Sequence, residues 1–190
     1  MKILSCDDAA LAETAALLKA GGVAVIPTDT VYGLAAHPAC PAAVARLYTI
    51  KGREAKKPIA LLAADAAAAA RFLGGPLAAS AERLAAKFWP GALTLVLPKG
   101  DGFEGMRVPD HVWTRRLLAA CGGVLRVTSA NLSGRRPATD APAALADVGL
   151  SADLVVDDGV SPGGVASTVV RVDAQGVCTV LRLGGVSIDA

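Results

Sequence analysis

The sequence has few of the residues from which metal sites and histidine-based catalytic sites are built. Its 190 residues include only two histidines and four cysteines, and aromatic residues make up 4%. The cysteines are far apart and form no Cys-x-x-Cys pair, which argues against a structural zinc site. Scattered thiols without a secretion signal are typical of the reducing cytoplasm, where their simplest role is that of buried packing residues.

Membrane-spanning and secretory segments are also missing from the sequence. Hydrophobic residues make up 53% of the chain, but it has no run of about 18 uninterrupted apolar residues. The alanine-rich stretch 60–70 contains Asp65 and ends at Arg71. The N-terminal residues 1–8 have no long apolar core, so we predict neither a signal peptide nor a membrane helix.

Two motifs of common enzyme classes are absent as well. The sequence contains no G-x-x-x-x-G-K-[ST] phosphate loop and no H-E-x-x-H zinc motif. Two histidines also leave few options for a serine triad. If the protein binds a nucleotide, side chains must therefore do much of the work on the phosphates.

Charge is segregated along the chain, although the formal net charge is only +2. Residues 46–58 contain five basic residues and one acid, and residues 107–136 contain six arginines and one acid. Residues 140–158 contain five aspartates and no basic residue. A charge run is usually a solvated face, but the two basic segments could instead meet at one cleft. Such a cleft would attract a phosphate-rich ligand.

Strand-like and helix-like segments alternate, which predicts an α/β fold in a single domain over residues 1–190. Ser80 and Asp110 stand where helix N-caps are expected. The predicted strands are 2–6, 23–26, 59–62, 93–97, 124–127, 155–156, 168–172 and 177–181. The predicted helices are 8–20, 41–50, 65–73, 80–88, 111–121 and 140–147.

Residues 27–34, with the sequence PTDTVYGL, follow a predicted buried strand. They place two hydroxyls, a carboxylate and a phenol in one turn, as a polar small-molecule pocket would need. Because Thr and Asp also satisfy backbone donors, an ordinary capped turn explains the same residues equally well.

Lys51 and Arg53 are separated only by Gly52. In an extended loop, residues two apart point the same way, so both cations could clamp one polyphosphate. An ordinary exposed basic loop is the alternative.

Ser129 and Asn131 follow a predicted strand and are likewise two residues apart. Their side chains could bond phosphate oxygens or an adenine edge, or they could form a simple turn.

Three further polar residues carry little weight individually. Ser167 flanks a predicted hairpin, and Arg182 lies at its far end. Arg107 precedes a predicted helix. Taken alone, each arginine fits a surface ion pair better than a ligand site.

Taken together, these segments resemble the YrdC-like family of threonylcarbamoyl-AMP synthases. The resemblance covers residues 8–187, and K-x-R followed by S-x-N is the marker of that family. The matching segments are PTDTVYGL (27–34), KGR (51–53), KP (57–58), FWPGALTLVLP (88–98), MRVPDH (106–111), TSANLSG (128–134), STVV (167–170) and LRLGG (181–185).

The resemblance implies an α/β fold in which a twisted mixed β-sheet is flanked by helices, with an open, positively charged cavity on one side. It implies a nucleotidyltransferase that converts L-threonine, bicarbonate and ATP to threonylcarbamoyl-AMP and pyrophosphate. Partner proteins then transfer the threonylcarbamoyl group to N6 of adenosine 37 in tRNAs that read ANN codons. Mg²⁺ would accompany ATP, and we expect no tightly bound, protein-ligated metal.

Residue by residue, the resemblance assigns catalytic roles to Lys51 and Arg53, which would neutralise charge as pyrophosphate leaves. The residues expected to bind ATP are Lys51, Arg53, Lys57, Ser129, Asn131 and Arg182. Those expected to bind threonine are Thr30, Arg107 and Ser167, with Arg107 facing the carboxylate.

Two other functions remain open on the sequence. A paralogue of the same fold could adenylate another carbamate or carboxylate. Alternatively, the segregated arginines could bind tRNA or double-stranded RNA, although a net charge of +2 and 4% aromatic residues favour such a module little. The resemblance itself allows weak tRNA binding beside the enzymatic activity.

Overall fold

The protein is described from a computed structural model, which covers residues 2–188. Within these residues the chain forms six α-helices and ten β-strands. The helices are α1 (Asp8–Lys19), α2 (Pro41–Lys51), α3 (Ala66–Leu73), α4 (Ala79–Phe88), α5 (Val112–Ala120) and α6 (Ala141–Asp147). The strands are β1 (Lys2–Ser5), β2 (Val23–Ile26), β3 (Gly33–Ala36), β4 (Leu61–Ala63), β5 (Leu93–Lys99), β6 (Gly102–Arg107), β7 (Val124–Ser129), β8 (Leu154–Asp157), β9 (Thr168–Val172) and β10 (Cys178–Arg182).

All these strands belong to one mixed sheet, in the order β1-β8-β2-β3-β7-β4-β6-β5-β9-β10. Parallel pairs join β1 to β8, β8 to β2, β4 to β6 and β5 to β9, and the other neighbours are antiparallel. The predicted mixed sheet with flanking helices is confirmed. The predicted single domain includes Met1 and Asp189–Ala190, which lie outside the described residues.

The two faces of the sheet are covered to different extents. On one face, α2 and α6 pack against β2 and β3. On the same face, α3 packs against β4 and β6, and α4 packs against β5 and β9. On the other face, α1 and α5 cover the half around β2, β3 and β7, where Leu18 and Leu117 meet Ile26 and Leu125. Among the described residues, the part formed by β6, β5 and β9 has no helix over it on this face, and this gap forms the cavity described below.

Local signals set most helix boundaries. Asp7, Asp65 and Asp140 cap α1, α3 and α6 by accepting a hydrogen bond from a backbone N–H in the first turn. Two predicted caps are wrong. Helix α4 begins one residue before Ser80, which therefore lies inside it, and α5 is capped by the His111 side chain, which accepts from the Thr114 backbone N–H, rather than by Asp110.

Two strands were not expected from the sequence. Strand β3 has the sequence Gly-Leu-Ala-Ala, and β6 contains Gly102, Glu104 and Gly105, so neither has the β-branched composition of a strand. They form because β3 pairs on both edges with β2 and β7, and β6 pairs with β4 and β5. Tertiary pairing outweighs local propensity in both cases.

Two short patterns known from other enzymes occur in these segments without the matching structure. Residues 100–105 read G-x-G-x-x-G, but they lie in the β5–β6 hairpin rather than between a strand and a helix. Residues 159–163 read G-x-S-x-G, but they lie in the loop between β8 and β9. Neither segment is therefore a dinucleotide fingerprint or a nucleophile elbow.

None of the helices found in residues 2–188 has the length and apolar character needed to span a bilayer.

Candidate active site

Strand alternation builds the open cavity. Leu93, Leu95 and Leu97 of β5 point toward α4, so Thr94 and Val96 point to the opposite face. In the same way Met106 of β6 enters the core, while Gly105 and Arg107 face the cavity. The polar residues on this face are thus the ones that alternate with the core residues along each strand.

The cavity has a volume of about 400 Å³, which is sufficient for a nucleotide-sized or smaller ligand. Three arginines line it and no carboxylate does. Its lining residues come from the turn after β2, the loop after α2, seven strands of the sheet and the segment before β9. Those that offer polar side chains are Thr28, Thr30, Tyr32, Arg53, Thr94, Arg107, Thr128, Ser129, Ser167 and Arg182.

The structure brings together six of the nine predicted site residues. Thr30, Arg53, Arg107, Ser129, Ser167 and Arg182 all line the cavity. Lys51, Lys57 and Asn131 do not line it. The ligand assigned to each residue stays a prediction.

Arg107 lies at the deep end of the cavity, where only 7% of its side chain is exposed. Its Nε donates to the Gly91 carbonyl at 2.9 Å, and Nη1 donates to the Thr30 hydroxyl at 2.8 Å. Nη2 donates to the Asp29 carboxylate and forms a salt bridge with it. Burial lowers the pKa of Arg107, while the charge of Asp29 opposes that shift.

Thr28 supports this end from below. Its hydroxyl donates to the Val31 carbonyl at 2.6 Å and lies 3.1 Å from the Thr30 hydroxyl. Since the Thr28 proton is used on Val31, the Thr30 hydroxyl has its own proton free for Thr28 Oγ1 or for a ligand. The sequence allowed two interpretations of the turn 27–34, a ligand pocket or a simple capped turn. In the structure the turn both satisfies its own backbone and lines the cavity.

Ser167 and Arg182 form a second polar group. Arg182 donates from Nη2 to the Ser167 carbonyl at 2.7 Å, and the Ser167 hydroxyl lies 2.8 Å from the Thr94 hydroxyl. Burial lowers the pKa of Arg182, and the nearby positive charge of Arg53 lowers it further. Arg182 likewise lowers the pKa of Arg107, so the three guanidinium groups lie within electrostatic range of one another.

Lys51 and Arg53 do not form the extended pair that the sequence suggested. Lys51 is the last residue of α2, and Gly52 ends the helix with a left-handed φ of +58°, so the two side chains leave in different directions. The Lys51 ammonium donates to the carbonyls of Ser129 and Asn131, both at 2.5 Å. Burial, followed by the charge of Arg53, lowers the pKa of Lys51 to about 8.

Arg53 remains on the cavity side of this turn. Its Nε donates to the Lys57 carbonyl at 2.9 Å, and Nη2 donates to the Pro58 carbonyl at 3.1 Å. Among residues 2–188, no carboxylate forms a salt bridge with it. Its remaining N–H groups are thus oriented by the loop and unused by other side chains.

The other two predicted residues outside the lining have supporting positions. Asn131 donates from Nδ2 to the carbonyls of Leu132 and Arg135, both at 2.9 Å, and so shapes the loop after β7. Lys57 is exposed and pairs with Glu54 at 2.8 Å. Its backbone carbonyl, rather than its ammonium, contacts Arg53.

Several polar or aromatic residues of the site are not among the nine residues assigned to ligands, although Thr28 and Asp29 lie in the turn 27–34 that the sequence offered as a polar pocket. Thr28 and Thr94 line the cavity, Asp29 pairs with Arg107, and Phe103 lies at the mouth under the Arg171 guanidinium, 4.1 Å from its ring. Alternation along β5 could have indicated Thr94, because it interrupts a run of leucines. No local signal indicated that Asp29 would meet an arginine far along the chain.

Comparisons with known proteins identify the family of this chain. The model of the Sua5/YciO/YrdC family, described as "Telomere recombination", matches residues 16–184, which is most of the chain. The chain belongs to the Sua5/YciO/YrdC family. A threonylcarbamoyl-AMP synthase of Bacillus subtilis is 37% identical over 97% of this chain. The chain spans 56% of that relative's length.

Solved Sua5/YciO/YrdC structures show the same fold. P. abyssi Sua5 complexed with L-threonine superposes with a TM-score of 0.89 at 29% identity, over 97% of this chain and 58% of that one. E. coli YciO superposes with a TM-score of 0.83 at 23% identity, over 96% of this chain and 94% of that one. The overall fold is therefore shared with other members of the Sua5/YciO/YrdC family.

Cysteine chemistry is not indicated at the cavity of this chain. No cysteine lines it, and burial raises the pKa of Cys121 to about 11 and that of Cys6 to about 12. Both thiols stay protonated at neutral pH and are poor nucleophiles. Among the described residues, no group of three or more histidine, cysteine or acidic side chains could hold a metal ion.

Proposed function

We propose that the chain catalyses threonylcarbamoyl-AMP synthesis, a nucleotidyl transfer from ATP to the carbamate of L-threonine. The observation that carries this proposal is that Arg53, Arg107 and Arg182 line one and the same cavity, with no carboxylate in its lining. Family membership and the named B. subtilis and P. abyssi relatives support the same reaction.

The reaction needs two anionic substrates to be held in one site. Threonine brings a carboxylate and, after its amine captures CO2, a carbamate, while ATP brings the triphosphate. A carbamate oxygen then attacks the α-phosphorus, and the bond from that phosphorus to the pyrophosphate oxygen breaks. Formation of the carbamate releases a proton from the amine to water. In the transfer step the carbamate is already an anion, so the chain must position the groups and stabilise charge rather than remove a proton.

The cavity divides naturally between these two ligands. We assign the threonine carboxylate to Arg107 and Thr30 at the deep end, beside Ser167. We assign the phosphates to Arg53 and Arg182, with Ser129 contributing a hydroxyl. Guanidinium groups suit both tasks because they hold carboxylate and phosphate oxygens bidentately.

Mg²⁺ would reach the site on the phosphates of ATP. The cavity lining offers hydroxyls but no carboxylate, so these residues provide no set of anionic side-chain ligands for a resident magnesium ion. This composition supports a metal that is bound by phosphate oxygens and water. When present, the ion would neutralise phosphate charge alongside the arginines.

We further propose that the chain acts in the cytoplasm and hands its product to threonylcarbamoyl-transferase proteins that modify tRNA. The adenylate is a reactive mixed anhydride, so an acceptor must consume it soon after its release. Weak contact of tRNA with this chain would be compatible with such a transfer.

Pyrophosphate release tests the proposed reaction. The protein is incubated with ATP and Mg²⁺, and L-threonine and bicarbonate are omitted in turn. Release that requires both substrates is the expected result. Release with threonine in CO2-free buffer would indicate direct carboxylate activation, and salt-dependent RNA binding without any release would favour an RNA-binding module.

A further inference from the structure

The Asp29 carboxylate lies beside the Arg107 guanidinium at the deep end of the cavity. Their side chains are 12% and 7% exposed, so the salt bridge is largely removed from water. Asp29 does not line the cavity, whereas Arg107 does. Asp29 therefore acts on a ligand only through its neighbour.

Counting hydrogen-bond donors shows what Asp29 leaves available. A guanidinium has five N–H groups, and three of those on Arg107 donate to Gly91, Thr30 and Asp29. Asp29 and Thr30 are adjacent in the turn after β2, and Gly91 lies just before β5, so acceptors from two segments of the chain together fix the plane of the guanidinium. Two N–H groups remain, both on the terminal nitrogens, which suit the two oxygens of a carboxylate.

The backbone on the other side of Asp29 is also fixed. The Gly163 N–H donates to the Asp29 carbonyl at 2.9 Å. A Cβ at residue 163 would lie 2.6 Å from that carbonyl oxygen, so only glycine allows this approach. Asp29 is thus held by the β8–β9 loop on one side while it holds Arg107 on the other.

We propose that Asp29 is a positioning residue that orients Arg107 for the carboxylate of the amino-acid substrate. An arginine that is already held in its binding orientation loses little conformational freedom when the ligand arrives. This inference rests on the proposed function, because it takes the Arg107 ligand to be L-threonine.

Steady-state kinetics and calorimetric titration of Asp29→Ala and Asp29→Asn test the proposal. Asp29→Ala is expected to raise the KM for L-threonine about tenfold or more and to leave the KM for ATP within about twofold. Asp29→Asn keeps an oxygen that can accept from Arg107, so its threonine KM should lie between wild type and Asp29→Ala.

A ligand without the carboxylate separates positioning from general damage. L-Threoninamide has the same side chain and amine but no carboxylate. Wild type should bind L-threonine at least about tenfold more tightly than the amide, and Asp29→Ala should reduce that preference to about threefold or less. A simple loss of stability would weaken both ligands equally.

Asp153→Asn is the matched control. Asp153 also pairs with an arginine, Arg46, at 2.8 Å, and it accepts from the Val23 N–H, but it lies outside the cavity. Its variant should lower the melting temperature and leave the KM values for both substrates unchanged.

Several outcomes would overturn the proposal. These are an unchanged threonine KM in Asp29→Asn and Asp29→Ala, equal increases for threonine and ATP, or a wild-type protein that does not bind L-threonine. If Asp29→Ala fails to fold, Asp29→Asn decides alone, with a threonine-specific increase of about threefold supporting the proposal. Wild type that binds threonine without releasing pyrophosphate would refute the proposed reaction, and the binding comparison would still test Asp29.

Discussion

Lys51 and Arg53 are two cations of one short motif, yet the fold gives them opposite environments. Lys51 is 2% exposed, and its ammonium contacts two backbone carbonyls on a distant loop. Arg53 is half-buried, lines the cavity and has no acidic partner within residues 2–188. The same type of charge therefore organises the protein at one position and faces the ligand space at the other.

The difference shows that residue type and spacing do not establish which cation binds a phosphate. A buried ammonium whose donors are already used on carbonyls has little left to offer a ligand. Its effect on catalysis would pass through the loop that carries Ser129. An oriented guanidinium with unused N–H groups can bind the ligand directly.

Replacement of Arg53 by alanine should have the largest effect on activity. We expect pyrophosphate release to fall roughly 100-fold or more, because a preorganised donor at developing charge is lost. The melting temperature should stay within about 2 °C of wild type, since Arg53 has no buried ion pair to lose. Turnover close to wild type would remove Arg53 from the phosphate site.

Lys51→Met should affect stability more than turnover, which is the opposite of the result expected for Arg53→Ala. The change removes the Lys51 donor from the Asn131 carbonyl, and the Ser129 carbonyl keeps its bond from the Asn131 N–H, so the free energy of unfolding in urea should fall by about 1–3 kcal/mol. Turnover should fall less than in Arg53→Ala. A variant of normal stability with a 100-fold loss of turnover would instead show that Lys51 acts on the phosphates.

The pH dependence of stability should reveal the Lys51 ammonium directly. Its pKa is about 8 in the folded protein, against 10.5 for an ordinary lysine. Between these values the unfolded chain binds the extra proton, so raising the pH should stabilise the wild type relative to Lys51→Met. The slope should be a fraction of the roughly 1.4 kcal/mol per pH unit that one proton gives. Parallel urea titrations at pH 8 and pH 10 measure this difference, and a constant difference would contradict it.

The smallest effect is expected for Lys57→Ala. This side chain is exposed, pairs with Glu54 and does not line the cavity. An exposed ion pair contributes little to stability, so we expect an unchanged melting temperature and an increase of at most about threefold in the KM for ATP. A tenfold increase would show that Lys57 reaches the phosphates when ATP is bound.

Elements with local signals were predictable from the sequence. Helix α1 lies between the Asp7 cap and the glycines after Lys19, and it was predicted to within one residue. Strand β3 was missed because its four residues have no strand preference of their own and depend on neighbours on both edges. Pairing of this kind is a property of the sheet rather than of the segment.

The site divides in the same way. The motifs indicated which residues would gather, and six of the nine line one cavity. The Lys51 acceptors are 78 and 80 residues away, and Asp29 is 78 residues from Arg107. Hydrogen-bond partners at that separation follow from strand order. Local spacing therefore could not predict that Lys51 is buried or that Arg107 donates to Asp29.

The edge position of β10 has a consequence for how the cavity opens. Arg107 stands on β6 in the interior of the sheet. Arg182 stands on β10, which within residues 2–188 has β9 as its one neighbour and is exposed along its whole length. Local unfolding starts where backbone bonds are exposed and neighbours are few, so β10 can detach while β6 stays folded. The cavity can therefore lose one of its guanidinium groups in a sub-global opening that leaves the core intact. A ligand that bridges both ends should slow amide exchange in residues 178–182 far more than in residues 102–107.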